Sequence, residues 1–338
     1  MKRTLYFLTI SIISLFLVLS CGNAKLTELK KTVKDVADNL NTELIAVRDI
    51  STQLNKELVD LFSNTDIENV DIKGMDESEG GSYYLFKDKM YLKRYDPKND
   101  EIITYFTGAT PLSDNNKKVL KMLDSLNDSI VRKVKSNPNL GRYSFATVNN
   151  EALTYPPADI ASLLPPGLDY NVLPNFNEAK QKASISYWRN PIISSGAVGV
   201  TMSTVNVVKD NNEVIGVGFL ETKLLKMLSA LIKDLKPMIL IPFQDSTVYA
   251  ATDSLLKSIS IKVTEQVDYT EQLKLNKNIS DEFKLSYEKN SDGIKALGTL
   301  ITKENTGKNG LSVTINNKKY SVIIEAVPEK EFFIVGLL

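Results

Sequence analysis

Few residues in this chain could carry covalent or metal chemistry. The 338 residues include no histidine and one cysteine. That removes Ser-His-Asp and Cys-His nucleophiles, imidazole acid/base chemistry and every His-containing zinc site. It also excludes an internal disulfide, a Cys-cluster metal site and a CxxC redox pair. Ser254 and Lys257 stand at the S-x-x-K spacing of serine acyl-enzymes, in which lysine activates the serine, but no SDN or KTG element accompanies them and the segment reads as a helix start. Asp66, Glu68, Asp71, Asp76, Glu77 and Glu79 crowd a stretch that ends at Gly81. They lack the alternating oxygen ligands of a calcium loop, so a solvated acidic loop is the plainer reading. The expectation is a non-enzyme with no cofactor and no metal site.

Lys+Arg and Asp+Glu both number 41, so the formal net charge is zero and no bulk field favours nucleic acid. The length is a prior for about two domains. Lys2 and Arg3 precede Leu5 to Leu19, an apolar run of about fifteen residues, short for a bilayer span and suited to the core of a signal peptide. The run ends in Val18-Leu19-Ser20-Cys21-Gly22. This resembles the bacterial lipobox, in which the cysteine is lipidated and becomes the mature N-terminus. The resemblance implies acylation of Cys21, palmitate included, and attachment by more than one acyl chain, which makes anchoring stable. An ordinary secretory peptide or an uncleaved anchor is the competing reading.

From Leu26, the residues Leu29, Val33, Val36, Leu40, Leu44, Val47, Ile50, Leu54 and Leu58 recur at spacings of three and four, without proline or glycine. This predicts one long helix. Its polar face has no regular charge scheme, so packing along its own globular body is favoured over a coiled coil, and a homodimer through the helix stays open. A second helix is expected from Ser113 to Val134. Strands are expected at Tyr143 to Val148; at Val198, Val200 and Met202, with a bulge near Ser203-Thr204 before Val205 and Val207; and at Val214 to Leu220. Between them, Tyr155-Pro156-Pro157 and Pro165-Pro166-Gly167-Leu168-Asp169 must form a shaped loop. A helix from Glu221 to about Leu235 ends at Lys236-Pro237. Smaller strands then follow at Ile239 to Phe243, Val248 to Ala251, Leu311 to Ile315, Tyr320 to Ile324 and Phe332 to Leu338.

These elements, in this order, resemble the double Cache domain, the extracytoplasmic sensor module of many bacterial chemoreceptors and histidine kinases. The matching pieces are Tyr155-Pro156-Pro157, Pro165 to Asp169, Pro174-Asn175-Phe176, Tyr187-Trp188-Arg189-Asn190-Pro191-Ile192 and Val214-Ile215-Gly216-Val217-Gly218. The resemblance implies an α/β fold in which a long N-terminal helix precedes two PAS-like modules with antiparallel sheets. The expected divisions are a signal peptide at 1–20, the lipidated N-terminus and long helix at 21–66, a membrane-distal module at 67–236 and a membrane-proximal module at 237–338.

In amino-acid-binding members of that family an arginine, a tyrosine and aspartates clamp the ligand. Alignment puts Val172, Leu173, Asn175, Phe176, Ile192, Ser194 and Leu220 at those positions. The resemblance therefore implies a pocket lined by Tyr155, Asn175, Phe176, Trp188, Ile192 and Ser194, without its ionic clamps. An unpaired buried charge costs several kcal/mol, so the expected ligand is an uncharged or apolar small molecule. Arg189 has two readings, a structural bridge to Asp169 or Glu178 and a substitute for the ligand arginine. Trp188 reads more readily as a core anchor than as a ligand platform.

The functional expectation is a lipid-anchored, sensor-type binding protein in the bacterial cell envelope. Gly22 in place of aspartate leaves an outer-membrane location open. No second membrane helix follows the last strand, so signalling would pass through a receptor or other envelope protein. The alternative is a protein-protein interaction or adhesion lipoprotein with a vestigial pocket.

Overall fold

The structure is a computed structural model that describes residues 2–182, 186–194, 199–264 and 279–338, with side chains from Asn23 onward except that of Ser194. The chain divides into two compact units, Ile45–Leu224 and Met1–Leu44 with Leu225–Leu338. One helix, α1 (Lys2–Asn64), contributes to both. Leu29, Val33, Val36, Leu40, Leu44, Val47, Leu54 and Leu58 are all buried, so the three-and-four spacing did mark the face that packs on its own body. Among the described residues, no helix is long and apolar enough to cross a membrane.

The unit Ile45–Leu224 is built on an antiparallel sheet of eight strands in the order β1-β2-β3-β5-β4-β10-β9-β6. These are β1 (Tyr83–Phe86), β2 (Met90–Lys93), β3 (Ile103–Thr107), β4 (Leu140–Thr147), β5 (Glu151–Tyr155), β6 (Ser186–Trp188), β9 (Ser203–Asp210) and β10 (Glu213–Thr222). Successive side chains point to opposite faces, and two separate cores result. On one face Tyr143, Phe145, Leu153, Tyr155, Val208 and Leu220 pack against Leu54 and Leu58 of α1, and against helices α2 (Asp114–Asp124) and α3 (Asn127–Lys135). On the other face Tyr105, Ala146, Ala152, Val205, Val207 and Val217 are covered by the segment after Tyr155, which holds α4 (Ile160–Leu163) and α5 (Pro174–Gln181).

The helix expected from Ser113 to Val134 is two helices. Ser113 and Asn116 form the reciprocal cap that starts α2. At its end the Ser125 hydroxyl donates to the Met122 carbonyl at 2.6 Å, a side-chain bond that competes with the helix ladder and closes the turn. The expected bulge at Ser203-Thr204 is a change of partner. The short strand β8 (Gly199–Thr201) pairs with β7 (Ile192–Ser194) as a separate ribbon, and β9 starts after Met202. The register shift lies in β10, between Val214 and Gly216. Val198 lies outside the described residues.

The second unit carries α6 (Leu224–Ile232) and a five-stranded antiparallel sheet ordered β12-β11-β15-β14-β13. Its strands are β11 (Met238–Pro242), β12 (Val248–Ala251), β13 (Ser312–Ile315), β14 (Lys318–Ala326) and β15 (Phe333–Leu337). Leu240, Val313, Ile324, Val335 and Leu337 form its core with Leu255 of α7 (Asp253–Ser258) and Leu297 of α8 (Asp292–Leu300). Asn211-Asn212 and Asn316-Asn317 have positive φ at both residues, the two-residue hairpin geometry that their composition favours. Ser254 sits at the start of α7 and donates to the Pro237 carbonyl at 3.0 Å, a structural bond.

Candidate ligand-binding face

The loop-covered face of the eight-stranded sheet is fastened by polar contacts that its sequence supplies locally. Thr107 Oγ1 accepts the backbone N–H groups of Gly167 and Leu168, each at 3.1 Å. Asn150 Oδ1 accepts the Tyr170 N–H at 2.7 Å, and Asn171 Nδ2 donates to the Val148 carbonyl at 2.7 Å. Gly167 takes φ +82°, which a side chain would strain. The proline-rich stretch is thus a shaped loop held over the strands, with Tyr155-Pro156 as a cis peptide.

Under this cover the side chains are aromatic and polar together. The hydroxyls of Tyr105 and Tyr170 lie 2.7 Å apart, and the Tyr170 ring leans on Phe176 with centroids 6.1 Å apart. Ser144 and Thr154 meet at 3.2 Å across β4 and β5. Phe219 and Tyr187 pack against the same core from β10 and β6. Arg142 and Glu221 face each other in the β4–β10 register, and by alternation with Ser144 and Phe219 they stand on this face too.

Tyr187 is the least satisfied of these groups. Its hydroxyl oxygen is buried and has no hydrogen-bond partner among the described residues, while Lys182 Nζ stands 3.8 Å from its ring centroid. Burial, and next the nearby Glu178 carboxylate, push its hydroxyl up to about 12. A buried hydroxyl without a partner is costly unless something else reaches it. Burial likewise raises Tyr105, so both phenols are neutral donors at ordinary pH.

The residues singled out from the sequence are divided between the two faces. Phe176 is buried on the loop-covered side. Tyr155 and Trp188 pack on the opposite face among the helices, and the Tyr155 hydroxyl donates to Asp100 at 2.7 Å. Asn175 is exposed and accepts a 2.7 Å hydrogen bond from Arg189. Ile192 is half-buried on the β7–β8 ribbon, and the Ser194 side chain lies outside the described residues. Sequence reasoning missed Tyr105, Arg142, Tyr170, Tyr187, Phe219 and Glu221. The usable signal was strand alternation from Ala146 back to Arg142 and from Val217 on to Glu221.

The same register puts charged side chains on the loop-covered face. Leu220, placed by alignment at the acidic position, turns to the helices, and Glu221 beside it faces the loop. Val172, placed at the basic position, is 68% exposed, and Arg142 comes from β4. In the acidic stretch before Gly81, Asp76 pairs with Lys117 at 2.8 Å, Glu68 with Lys118 at 3.2 Å, and Glu77 with Arg94, while Asp66, Asp71 and Glu79 accept from nearby amide N–H groups. No group of three or more potential metal ligands is found among the described residues.

No sequence-family profile matches the chain, and no curated protein matches it in sequence. Solved structures do match it in fold. The sensory domain of the Campylobacter jejuni chemoreceptor Tlp3 (CcmL) with isoleucine bound is similar at a TM-score of 0.51 and 11% identity, over 95% of this chain and 94% of that one. The ligand-binding domain of the same chemoreceptor in complex with L-valine gives 0.53 at 10% identity, over 95% and 94%. At such identity the likeness is one of fold, spanning both units and the long helix. The chain has the double Cache fold of chemoreceptor sensory domains.

Proposed function

We propose that this protein is a lipid-anchored, extracytoplasmic small-molecule-binding protein of sensor type, with Cys21 as the lipidated residue. The observation that carries the binding reading is the loop-covered face, where a buried Tyr187 hydroxyl without a partner among the described residues lies among aromatic rings and a facing arginine and glutamate. Such a surface suits a compact molecule with an apolar body and polar ends. Isoleucine and valine, bound by the Campylobacter domain, have that character. The anchor reading rests on Val18-Leu19-Ser20-Cys21-Gly22 after a basic start and an apolar run.

A thermal-shift screen of the detergent-solubilised protein against amino acids, their uncharged amides and wider metabolite pools tests binding, because a ligand that prefers the folded state raises the melting temperature. A specific rise abolished by Tyr187→Phe supports the reading. Flat responses throughout favour a protein-interaction role with a vestigial pocket. Cys21→Ser tests the anchor separately, by loss of the protein from the detergent phase on partition.

A further inference from the structure

The stretch of α1 that follows Cys21 and the turn before β13 bring together lysines that the ligand-binding reading leaves unused. We propose that Lys30, Lys31 and Lys308 form a site for the phosphate of an anionic lipid headgroup in the membrane that holds the anchor. The inference rests on the proposed lipidation of Cys21.

Between Cys21 and Lys34 the sequence carries four lysines and one glutamate, in a chain whose overall charge is zero. Lys30, Lys31 and Lys34 fall on one side of the helix by their three- and four-residue spacing. At about 1.5 Å per residue, Lys25 to Lys34 lie roughly 6 to 20 Å along the axis from Cys21. Lys30, Lys31 and Lys34 line a groove of about 410 Å³ with Lys308 and with Ile323 and Glu325 of β14. Gly307, at φ +70°, turns the chain so that Lys308 faces the helix, and its N–H donates to the Ile324 carbonyl at 2.9 Å.

The cations here are held by neutral groups. Lys30 Nζ donates to Asn309 Oδ1, and Lys308 Nζ donates to Asn305 Oδ1 at 3.2 Å. Lys34 is the exception, paired with Asp38 at 3.2 Å, and Glu325 offsets one further charge. Lys30, Lys31 and Lys308 form no ion pair among the described residues. Three cations around an amphipathic groove, close to a point fixed at a membrane, suit a headgroup phosphate whose glycerol end meets Ile323 and the lysine stems.

The test is acetylation footprinting of the full lipidated chain in nanodiscs of phosphatidylcholine, alone or with roughly one third phosphatidylglycerol. Lys31 and Lys308 should react at least about five-fold more slowly in the anionic discs. The protection should vanish at about 0.5 M NaCl, where screening shortens to a few Å, and Lys121 of α2 should not change. Lys308→Glu should remove the protection of Lys31. Equal rates in the two discs would overturn the inference, as would equal protection by about 10 mM inorganic phosphate in phosphatidylcholine discs, which would mark a free-anion site. A chain that enters neither disc contradicts the anchor itself and the inference with it.

Discussion

Arg142 and Glu221 stand opposite one another on neighbouring strands β4 and β10, on the face that also carries Tyr105 and Phe219. A cross-strand pair of opposite charge is favourable on a sheet surface. Here it borders a cover of aromatic side chains, so the face offers charge and apolar area side by side. That combination, more than any single residue, is what the proposed binding role rests on.

The division of residues between faces predicts which substitutions disturb binding. Phe176→Ala should weaken the strongest ligand from the screen by at least about ten-fold, since it removes a large buried ring from the cover. Tyr155→Phe should leave affinity within about two-fold while costing roughly 1 kcal/mol of stability, through loss of the bond to Asp100. Titration calorimetry and urea unfolding of both variants measure the two effects.

The Tyr105 and Tyr170 hydroxyls should behave as a unit. Tyr105→Phe leaves Tyr170 without its partner and should cost about 1–3 kcal/mol. The double variant should cost less than the sum of the singles, by about 0.5–3 kcal/mol of coupling. A double-mutant cycle from urea unfolding gives the value, and strict additivity would contradict the pairing.

Glu151 is fully buried and bonded to neutral groups, accepting from Asn116 Nδ2 at 2.6 Å and from Thr147 Oγ1. Burial holds its carboxyl above the usual range, against the hydrogen bonds from Thr147 and Asn116. The folded protein therefore keeps the proton at pH values where the unfolded chain has lost it. The stability this group contributes is full below the ordinary glutamate value and falls as pH rises through the raised one. Glu151→Gln should stabilise at pH 7 by on the order of 1 kcal/mol, with the advantage fading toward pH ~4. Chemical denaturation across that range reads the difference.

Gly216 lies at the register shift of β10, and a Cβ there would come within 2.5 Å of the Phe145 ring and 2.6 Å of the Ala146 carbonyl oxygen. Gly216→Ala should cost about 1–3 kcal/mol, because the backbone carbonyl cannot step aside as a flexible side chain could. The melting temperature should fall accordingly.

The long helix and the order of α/β modules were legible because each depends on local period. The helix face of α1 is written at Leu29, Val33 and Val36. The binding face was much less legible. Both faces of the eight-stranded sheet are buried, so Tyr155 and Phe176 look alike in sequence although Tyr155 packs on the helices and Phe176 belongs to the cover of the other face. Leu220 and Glu221 are neighbours in sequence but stand on opposite faces, since a strand repeats every two residues. The end of α2 was hidden because Ser125 stops it by a side-chain bond, with no proline or glycine to announce it.

A crystal structure of the protein grown with the strongest compound from the screen tests the central claim most directly. The account predicts ligand density between the strands bearing Arg142, Phe219 and Tyr187 and the cover formed by Tyr170 and Phe176, with a polar atom of the ligand on the Tyr187 hydroxyl. Density among the helices beside Tyr155 and Trp188, or on the outer surface alone, would contradict it.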